Sequence, residues 1–342
     1  MQVKNVPSYL ECLSDARIQS YRHFFTGATI PTDDELVSLY QWNNEISEMT
    51  WKLISLIEIA FRNKIHQVLS DELFINPKKT VANGSKTNQF LTNTVSTLNL
   101  GTKKSCNWYN AVNFTGEPLN KIVAITHKKN KNNHKFYLRN PNFNPDDVIS
   151  RLTFGFWRFI FLNLSNAGED HKKIISKTFR YSPFYNGIIS PRVEFKLDAR
   201  LDMIHSIRNR ISHHEPLWKL GDMLEEAKSP TQHKKFNRKI IKSKPKNLTE
   251  SCEHLKYYHS QMVEFLTWID KDLADSYRNS WWSERLIFLC SKRDVKGITN
   301  MIPLNTDIPY QKLKRDIKSI VFRDRARIIC KGNKKSLIIP LK

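Results

Sequence analysis

"TDDELVSLYQWNNEISEMTWKLISLIEIAFRNKIHQVL", residues Thr32 to Leu69, carries the strongest helical signal in the chain. Thr32 and Glu35 have the spacing of a capping box, with Asp33 and Asp34 as acidic residues in the first turn. Apolar residues then recur at spacings of three and four, which align along one buried face of a helix. No Gly or Pro interrupts this pattern, so the stretch predicts one long helix or two helices in sequence.

Three further stretches predict helices. Residues 144–164, "NPDDVISRLTFGFWRFIFLNL", have acidic residues in the first turn and then an apolar stripe. Residues 190–214, "SPRVEFKLDARLDMIHSIRNRISHH", begin at a proline and stop before Pro216, because the residue that precedes a proline disfavours the helical region. Residues 247–279 give the third helical pattern. The chain is therefore expected to be mostly α.

Two regions have other patterns. Residues 76–146 are rich in Asn, Lys, Gly and Pro, which favour turns, and predict an irregular, surface-exposed insert with short helices or strands. From Tyr310 to the end, Ile and Val alternate with charged residues, which suggests a strand pair and a small β element at the C-terminus.

The charge of the chain indicates a polyanionic partner. The 342 residues include 55 Lys and Arg against 33 Asp and Glu, which gives a net charge of +22. Nucleic acid is the commonest large polyanion that such a field attracts. The basic density is highest between Lys228 and Lys246, where eight Lys or Arg occur with no acidic residue.

Several classes of protein do not fit the composition. The N-terminus lacks the pattern of a secretory signal, and the longest apolar run is too short to span a bilayer and contains Arg158. The five cysteines are widely spaced without a C-x-x-C pair, which predicts reduced thiols rather than a zinc site or disulfides. We expect a cytoplasmic protein with no membrane partner, no cofactor and no metal.

The stretch "RNRISHHEPLW", residues 208–218, combines an arginine with two histidines at the end of a predicted helix. Arginine presents a fixed fork of donors to phosphate oxygens, and histidine can transfer a proton near neutral pH. Arg208, Asn209, His213 and His214 could therefore bind a phosphodiester and act on it. Adjacent residues on a helix diverge by about 100°, so His213, His214 and Glu215 do not form a zinc site of the usual helical spacing.

A purely structural role explains the same residues. Arg208 could pair with Asp202 or Glu215, and the histidines could lie at the negative end of the helix dipole. Judged on spacing alone, this interpretation is favoured over catalysis.

The stretch resembles the R-N-x-x-x-H motif of HEPN ribonucleases, and in particular the "RNRxAHHEP" ending of Abi-like proteins of bacterial abortive infection. "ECLSDARIQSYRHFF" (11–25), the stretch quoted first and "LTFGFWRFIF" (152–161) are similar, in the same order, to segments of that family. The similarity covers roughly residues 8–70 and 147–220. Ser212 stands where the family often has Ala.

The resemblance implies an α-helical HEPN-like bundle with an active site formed by two copies of the motif, and therefore a homodimer. Together with the composition, it divides the chain into N-terminal helices (1–75), a polar insert (76–146), core helices with the motif (147–227) and a basic C-terminal region (228–342), while the insert and the C-terminal third have no counterpart in the resemblance. Arg208, Asn209 and His213 correspond to the motif, and His214 is a second candidate. Glu58, Arg62 and Asn63 in "EIAFRNKIH" are supporting candidates, although an ion pair between Glu58 and Arg62 is favoured slightly over a role in the site.

The implied function is metal-independent cleavage of RNA through attack of the ribose 2′-OH, in phage defence or as a toxin. The alternative is a non-catalytic protein that binds a structured RNA. Partners would be RNA, as substrate or regulator, and an RNA or protein antitoxin. A set of basic residues is expected to contact RNA phosphates: Lys234, Lys235, Arg238, Lys239, Lys242 and Lys244.

Overall fold

The structure is a computed structural model and confirms the mostly α fold class. It describes residues 3, 5–25, 31–74, 101–129, 131–132, 136–139, 144–185, 188–226, 238–291, 297–299, 307–321, 327–331 and 334–338.

The helices in sequence order are α1 (Val6–Glu11), α2 (Asp15–Phe25), α3 (Asp33–Phe74), α4 (Gly116–Thr126), α5 (Pro145–Arg151), α6 (Phe154–Arg158), α7 (Ile160–Asn166), α8 (His171–Thr178), α9 (Pro191–Ser212), α10 (Leu248–Ile269), α11 (Lys271–Arg278), α12 (Trp281–Leu289) and α13 (Tyr310–Val321). The strands are β1 (His127–Lys129), β2 (Phe136–Leu138), β3 (Met223–Leu224), β4 (Ile240–Lys242), β5 (Asp307–Pro309), β6 (Arg327–Lys331) and β7 (Lys334–Ile338). β1–β2, β3–β4 and β6–β7 pair antiparallel, and β5 pairs parallel with β6.

α3 is one continuous helix of 42 residues. Its predicted capping box is confirmed, because the Thr32 amide donates to Glu35 Oε2 at 2.9 Å and the Glu35 amide donates to Thr32 Oγ1 at 3.3 Å. The predicted stripe is mostly buried, from Leu36 to Val68. None of the helices among the described residues is both long and apolar enough to cross a bilayer.

The chain divides into two compact units. The first unit comprises Met1–Ile54, Ser206–Glu264 and Leu273–Lys342, and the second comprises Ser55–His205 and Phe265–Asp272.

Side chains of α3 and α12 meet in the core of the first unit. Trp42 is fully buried and its indole N–H donates to the Leu289 carbonyl at 2.9 Å. Arg285, also fully buried, donates from Nε and Nη2 to the two carboxylate oxygens of Glu45 at 2.6 and 2.9 Å. Such a two-point ion pair satisfies a guanidinium that burial would otherwise penalise.

Aromatic rings fill the core of the second unit. Phe61, Phe179 and Phe265 have ring centroids 5.4 to 5.9 Å apart. Arg158, the charged residue within the apolar run, is 7% exposed and donates to Asp198 at 2.5 Å and to Asp202 at 3.2 Å. These ion pairs connect α6 to α9, which explains why a charged residue stands within the longest apolar run of the chain.

The expectation that the insert is surface-exposed is wrong for a large part of its described residues. Trp108, Phe114 and Ile122 are at most 1% exposed, so this part of the chain contributes core side chains. The polar composition of the insert did not predict these core side chains, because a few large apolar residues stand among many Asn and Lys.

Two local expectations also change. The predicted helix over 144–164 is three short helices. At the first break Leu152 is extended (φ −72°, ψ 124°) and its carbonyl accepts a hydrogen bond from the Trp157 indole at 3.2 Å, and at the second break Phe159 has φ −104° and ψ 11°. The strand pair at the C-terminus is confirmed as β6 and β7, but Tyr310–Val321 is helical. Leu313 and Ile317 lie four residues apart there, a helical period.

Candidate active site

α9 ends in a tight left-handed turn at the two histidines. The His214 amide donates to the Ile211 carbonyl at 3.0 Å, and the Glu215 amide donates to the Arg210 carbonyl at 2.8 Å. This pair of bonds defines a Schellman motif, which requires a left-handed residue at the first position past the helix. That residue is His214, with φ +54°.

Glycine usually occupies this position because a Cβ makes the left-handed region unfavourable. A non-glycine residue held there costs on the order of 1 kcal/mol, and such strain is found most often at functional sites. Among the described non-glycine residues, His214 is the one with a positive φ. The imidazole at this strained position therefore makes the turn a candidate functional site.

Side chains on both sides hold the turn in place. Arg210 donates from Nε to Glu215 at 3.1 Å and from Nη1 to the Lys219 carbonyl at 2.5 Å. The Leu217 amide donates to Oδ1 of the buried Asn43 at 2.8 Å, which attaches the segment after the motif to α3. The histidines are thus presented by a rigid turn rather than by a loose helix end.

Arg208 does not have the carboxylate partner that a structural role would give it. Asp202 pairs with Arg158, and Glu215 pairs with Arg210. Within the part of the chain that the structure describes, the Arg208 side chain forms no ion pair, and its Nε is buried with no hydrogen-bond partner. Its guanidinium carbon lies 5.8 Å from the centroid of the Trp51 ring. A cation on an indole face is attracted by the ring but keeps its donors for an anion.

The other motif residues have different exposures. Asn209 is half-buried and its carbonyl accepts from the His213 amide at 2.9 Å, which confirms that the two share a helical turn. Both histidine side chains are exposed, and neither ring has a partner among the described residues.

A cavity of about 550 Å³ adjoins the turn, and all its lining residues belong to the first unit. α3 contributes one wall and the motif the other; the polar and aromatic side chains on it include Asn44, Ser47, Glu48, Trp51, His214 and Glu215. His214 thus lines this space together with Trp51, the ring against which Arg208 lies.

A family of known proteins matches the part of the chain that contains this site. The family model of Abi-like proteins matches residues 8–219, a segment that contains α2, α3, α9 and the turn. The chain belongs to the Abi-like protein family. Membership indicates a role in abortive infection, a form of phage defence. No curated protein and no solved structure matches the chain.

The supporting candidates of this Abi-like protein lie in the second unit. The ion pair that we expected between Glu58 and Arg62 is not formed in the described structure. Arg62 donates instead to Asn63 Oδ1 at 3.2 Å and to the Ser150 carbonyl at 3.3 Å. Arg62 therefore connects α3 to α5, and Asn63 orients its guanidinium.

A polar cluster that the sequence did not predict is built around His66. The Trp108 indole N–H donates to His66 Nδ1 at 2.8 Å, so Nδ1 is the acceptor and Nε2 carries the proton. Nε2 lies 3.1 Å from both Ser105 Oγ and Asp146 Oδ1. Burial lowers the pKa of His66, against the opposing effect of Asp146. The cluster attaches the insert to α3. Its members are about 40 to 80 residues apart in the sequence, so no local spacing could predict that they meet.

The basic set predicted to contact RNA is partly engaged within the chain. Lys234 and Lys235 lie outside the described residues. Arg238 donates from Nε to the Glu225 carbonyl at 2.9 Å, and Lys242 forms an ion pair with Glu253.

Two members of the set remain available. The side chains of Lys239 and Lys244 are exposed and unpaired within the described part of the chain. In that same part, no cluster of three or more His, Cys, Asp or Glu residues could hold a metal ion.

Proposed function

We propose that this Abi-like protein is a HEPN-type endoribonuclease that cleaves RNA without a metal ion, in phage defence or as a toxin. One observation carries the proposal: Arg208 has no carboxylate partner among the described residues and lies against Trp51, which lines the same cavity as His214. In the purely structural interpretation, this arginine would pair with a neighbouring carboxylate such as Asp202 or Glu215.

The arginine supplies the anion-binding half of the chemistry. A guanidinium presents several N–H donors in a plane that matches two phosphate oxygens. The guanidinium stabilises the transition state most strongly where negative charge develops, which is on the equatorial oxygens of the phosphorane. A preformed donor there commonly changes a rate by about a hundred-fold or more.

The histidines supply the proton transfer. One imidazole accepts the proton of the ribose 2′-OH, whose oxygen then forms a bond to phosphorus while the bond from phosphorus to the 5′-oxygen breaks. A second imidazole, which starts the reaction in its protonated form, donates its proton to the departing 5′-oxygen. The products are a 2′,3′-cyclic phosphate and a 5′-hydroxyl. His213 holds the motif position and His214 lines the cavity, so the proposal assigns the proton transfers to this pair.

The proposal includes a homodimer, because the resemblance to HEPN proteins implies two motifs in one active site. A second chain would bring a second arginine and a second pair of histidines to the same phosphodiester. DNA is then not a substrate, since it lacks the 2′-OH.

The experiment is cleavage of total cellular RNA in EDTA by wild-type protein and by the variants His213→Ala, His214→Ala and Arg208→Ala. We expect products with cyclic phosphate ends from the wild type, strongly reduced cleavage by Arg208→Ala, and no cleavage by at least one of the two histidine variants, with all variants folded. Tight RNA binding without cleavage by any protein would instead favour the non-catalytic RNA-binding function. Equal cleavage by all four proteins would contradict the assignment of the site.

A further inference from the structure

The cavity beside the motif is larger than a phosphodiester requires. Its volume of about 550 Å³ lies within the range of roughly 300–1,000 Å³ typical of small-molecule pockets. A nucleotide unit brings a base as well as a phosphate. The side chains on the α3 wall therefore have room to contact a base.

The polar side chains that line the cavity fall into two groups. The first group is already bonded within the chain and contributes little to a ligand: Asn43, Ser47, Ser212 and Glu215. The second group forms no hydrogen bond or ion pair with any residue that the structure describes: Asn44, Glu48 and His214. Both Asn44 and Glu48 are exposed to solvent.

The two unpaired residues of α3 share a face with the tryptophan. Asn44 and Glu48 are four residues apart and Trp51 follows three residues later, so all three lie along one stripe of the helix. An indole offers a stacking surface to any base, worth about 1–3 kcal/mol per base in single-stranded complexes. The stripe thus joins a stacking surface to an amide and a carboxylate.

The charge of Glu48 determines which part of a nucleotide can lie beside it. A carboxylate only accepts hydrogen bonds when ionised and repels phosphate oxygens. It matches a base edge that presents two adjacent donors. Guanine has such an edge in its ring N1–H and its exocyclic amine, while the Asn44 amide can donate to the neighbouring carbonyl oxygen. Uracil and cytosine present at most one such donor at this edge.

We infer that the cavity formed by Asn44, Glu48 and Trp51 beside His214 binds a guanine base of the RNA strand, with the attached phosphate at Arg208. Trp51 stacks on the base with the ring face that the Arg208 guanidinium does not cover, and Glu48 accepts hydrogen bonds from the Watson–Crick edge of the base. The inference rests on the proposed function for its link to cleavage, but base binding can be measured without cleavage. It makes Glu48 a specificity-determining residue and gives the Abi-like protein a sequence preference.

The test is calorimetric titration of the intact protein with guanosine, adenosine, cytidine and uridine 3′-monophosphates. We expect the guanosine nucleotide to bind about ten-fold more tightly than the uridine nucleotide, the effect of one good two-point contact. Glu48→Gln keeps the shape but turns an amide donor toward the base, so the preference should fall to within about two-fold. Glu11→Gln, the control, removes a charge from the exposed side of α1 and should retain the wild-type preference for the guanosine nucleotide.

A second measurement separates the inference from the proposed function. RNA oligonucleotides with a single guanosine or a single uridine in an otherwise constant strand are incubated with the wild type. Cleavage without any base preference, together with equal binding of the four nucleotides, would overturn the inference and leave the nuclease in place. Absence of cleavage with guanosine-selective binding that Glu48→Gln abolishes would support the inference and remove the proposed function. Selectivity for adenosine, or guanosine selectivity retained in Glu48→Gln, would overturn the assignment of Glu48.

Discussion

The Arg208 guanidinium lies 5.8 Å from the centre of the Trp51 ring, while the nearby Glu215 carboxylate is bonded to Arg210. The helix turn therefore presents two arginines with different roles. Arg210 fixes the turn, and Arg208 keeps its charge for an external anion. This division gives the motif a rigid frame and an unneutralised cation at the same place.

Arg208 should be required for activity in a way that lysine cannot replace. We expect Arg208→Ala to reduce the cleavage rate by about a hundred-fold or more, and Arg208→Lys to reduce it strongly too, because an ammonium lacks the planar fork. Arg192→Ala, an exposed arginine on the same helix that is unpaired within the described residues, is the matched control. Initial rates on a labelled RNA test this, and a rate for Arg208→Ala within two-fold of wild type would refute it.

The left-handed conformation of His214 should lower the stability of the fold. Replacing it by glycine removes the steric cost of φ +54°, so we expect His214→Gly to raise the free energy of unfolding by about 0.5–1 kcal/mol. His214→Ala keeps the strain and should give no such gain. Urea denaturation of the three proteins measures the difference. Destabilisation by glycine relative to alanine would contradict a steric cost of the left-handed conformation at this position.

The buried histidines should make the fold acid-sensitive. Burial lowers the pKa of His259 from 6.5 to about 4, and burial lowers the pKa of His66, His127 and His254 in the same direction. Below pH 6.5 the unfolded chain takes up protons that the folded chain does not, so stability present above pH 6.5 is lost as the pH falls toward 4. His259 alone should lower the free energy of unfolding by on the order of 2 kcal/mol between pH 7.5 and 5.

Urea denaturation at both pH values checks this prediction. A His259→Asn variant should be less stable at pH 7.5 but lose less stability on acidification. His23→Gln, which changes an exposed histidine, should keep the wild-type loss. An equal loss in wild type and His259→Asn would contradict the role of His259.

The buried Arg285 should depend on Glu45. Glu45→Ala removes the carboxylate from a fully buried guanidinium, and we expect a loss of about 3–5 kcal/mol in the free energy of unfolding. Glu48→Ala, one turn along α3, should change stability by less than about 0.5 kcal/mol because that side chain is exposed and unpaired in the described structure. Chemical denaturation of both variants provides the comparison, and similar stabilities would argue against the importance of the ion pair.

Much of the site was predictable because its signals are local. The capping box at Thr32 and Glu35 and the apolar spacing after it fix the start and register of α3. Pro216 and the motif place Arg208 and the histidines at a helix end. Local patterns did not predict the break at Leu152 or the buried Trp108, since both depend on partners distant in the sequence.

The sequence by itself determined the mostly α fold, the helical character of the stretch after Thr32 and the position of the motif, because helix propensity, capping and spacing act over a few residues. The tertiary structure alone decided that Glu215 binds Arg210 rather than Arg208, and that Trp51 lies beside Arg208. The first choice depends on the turn that follows α9, and the second depends on the direction of side chains from α3 and α9. That direction follows from the packing of the whole first unit, which no stretch of sequence specifies by itself.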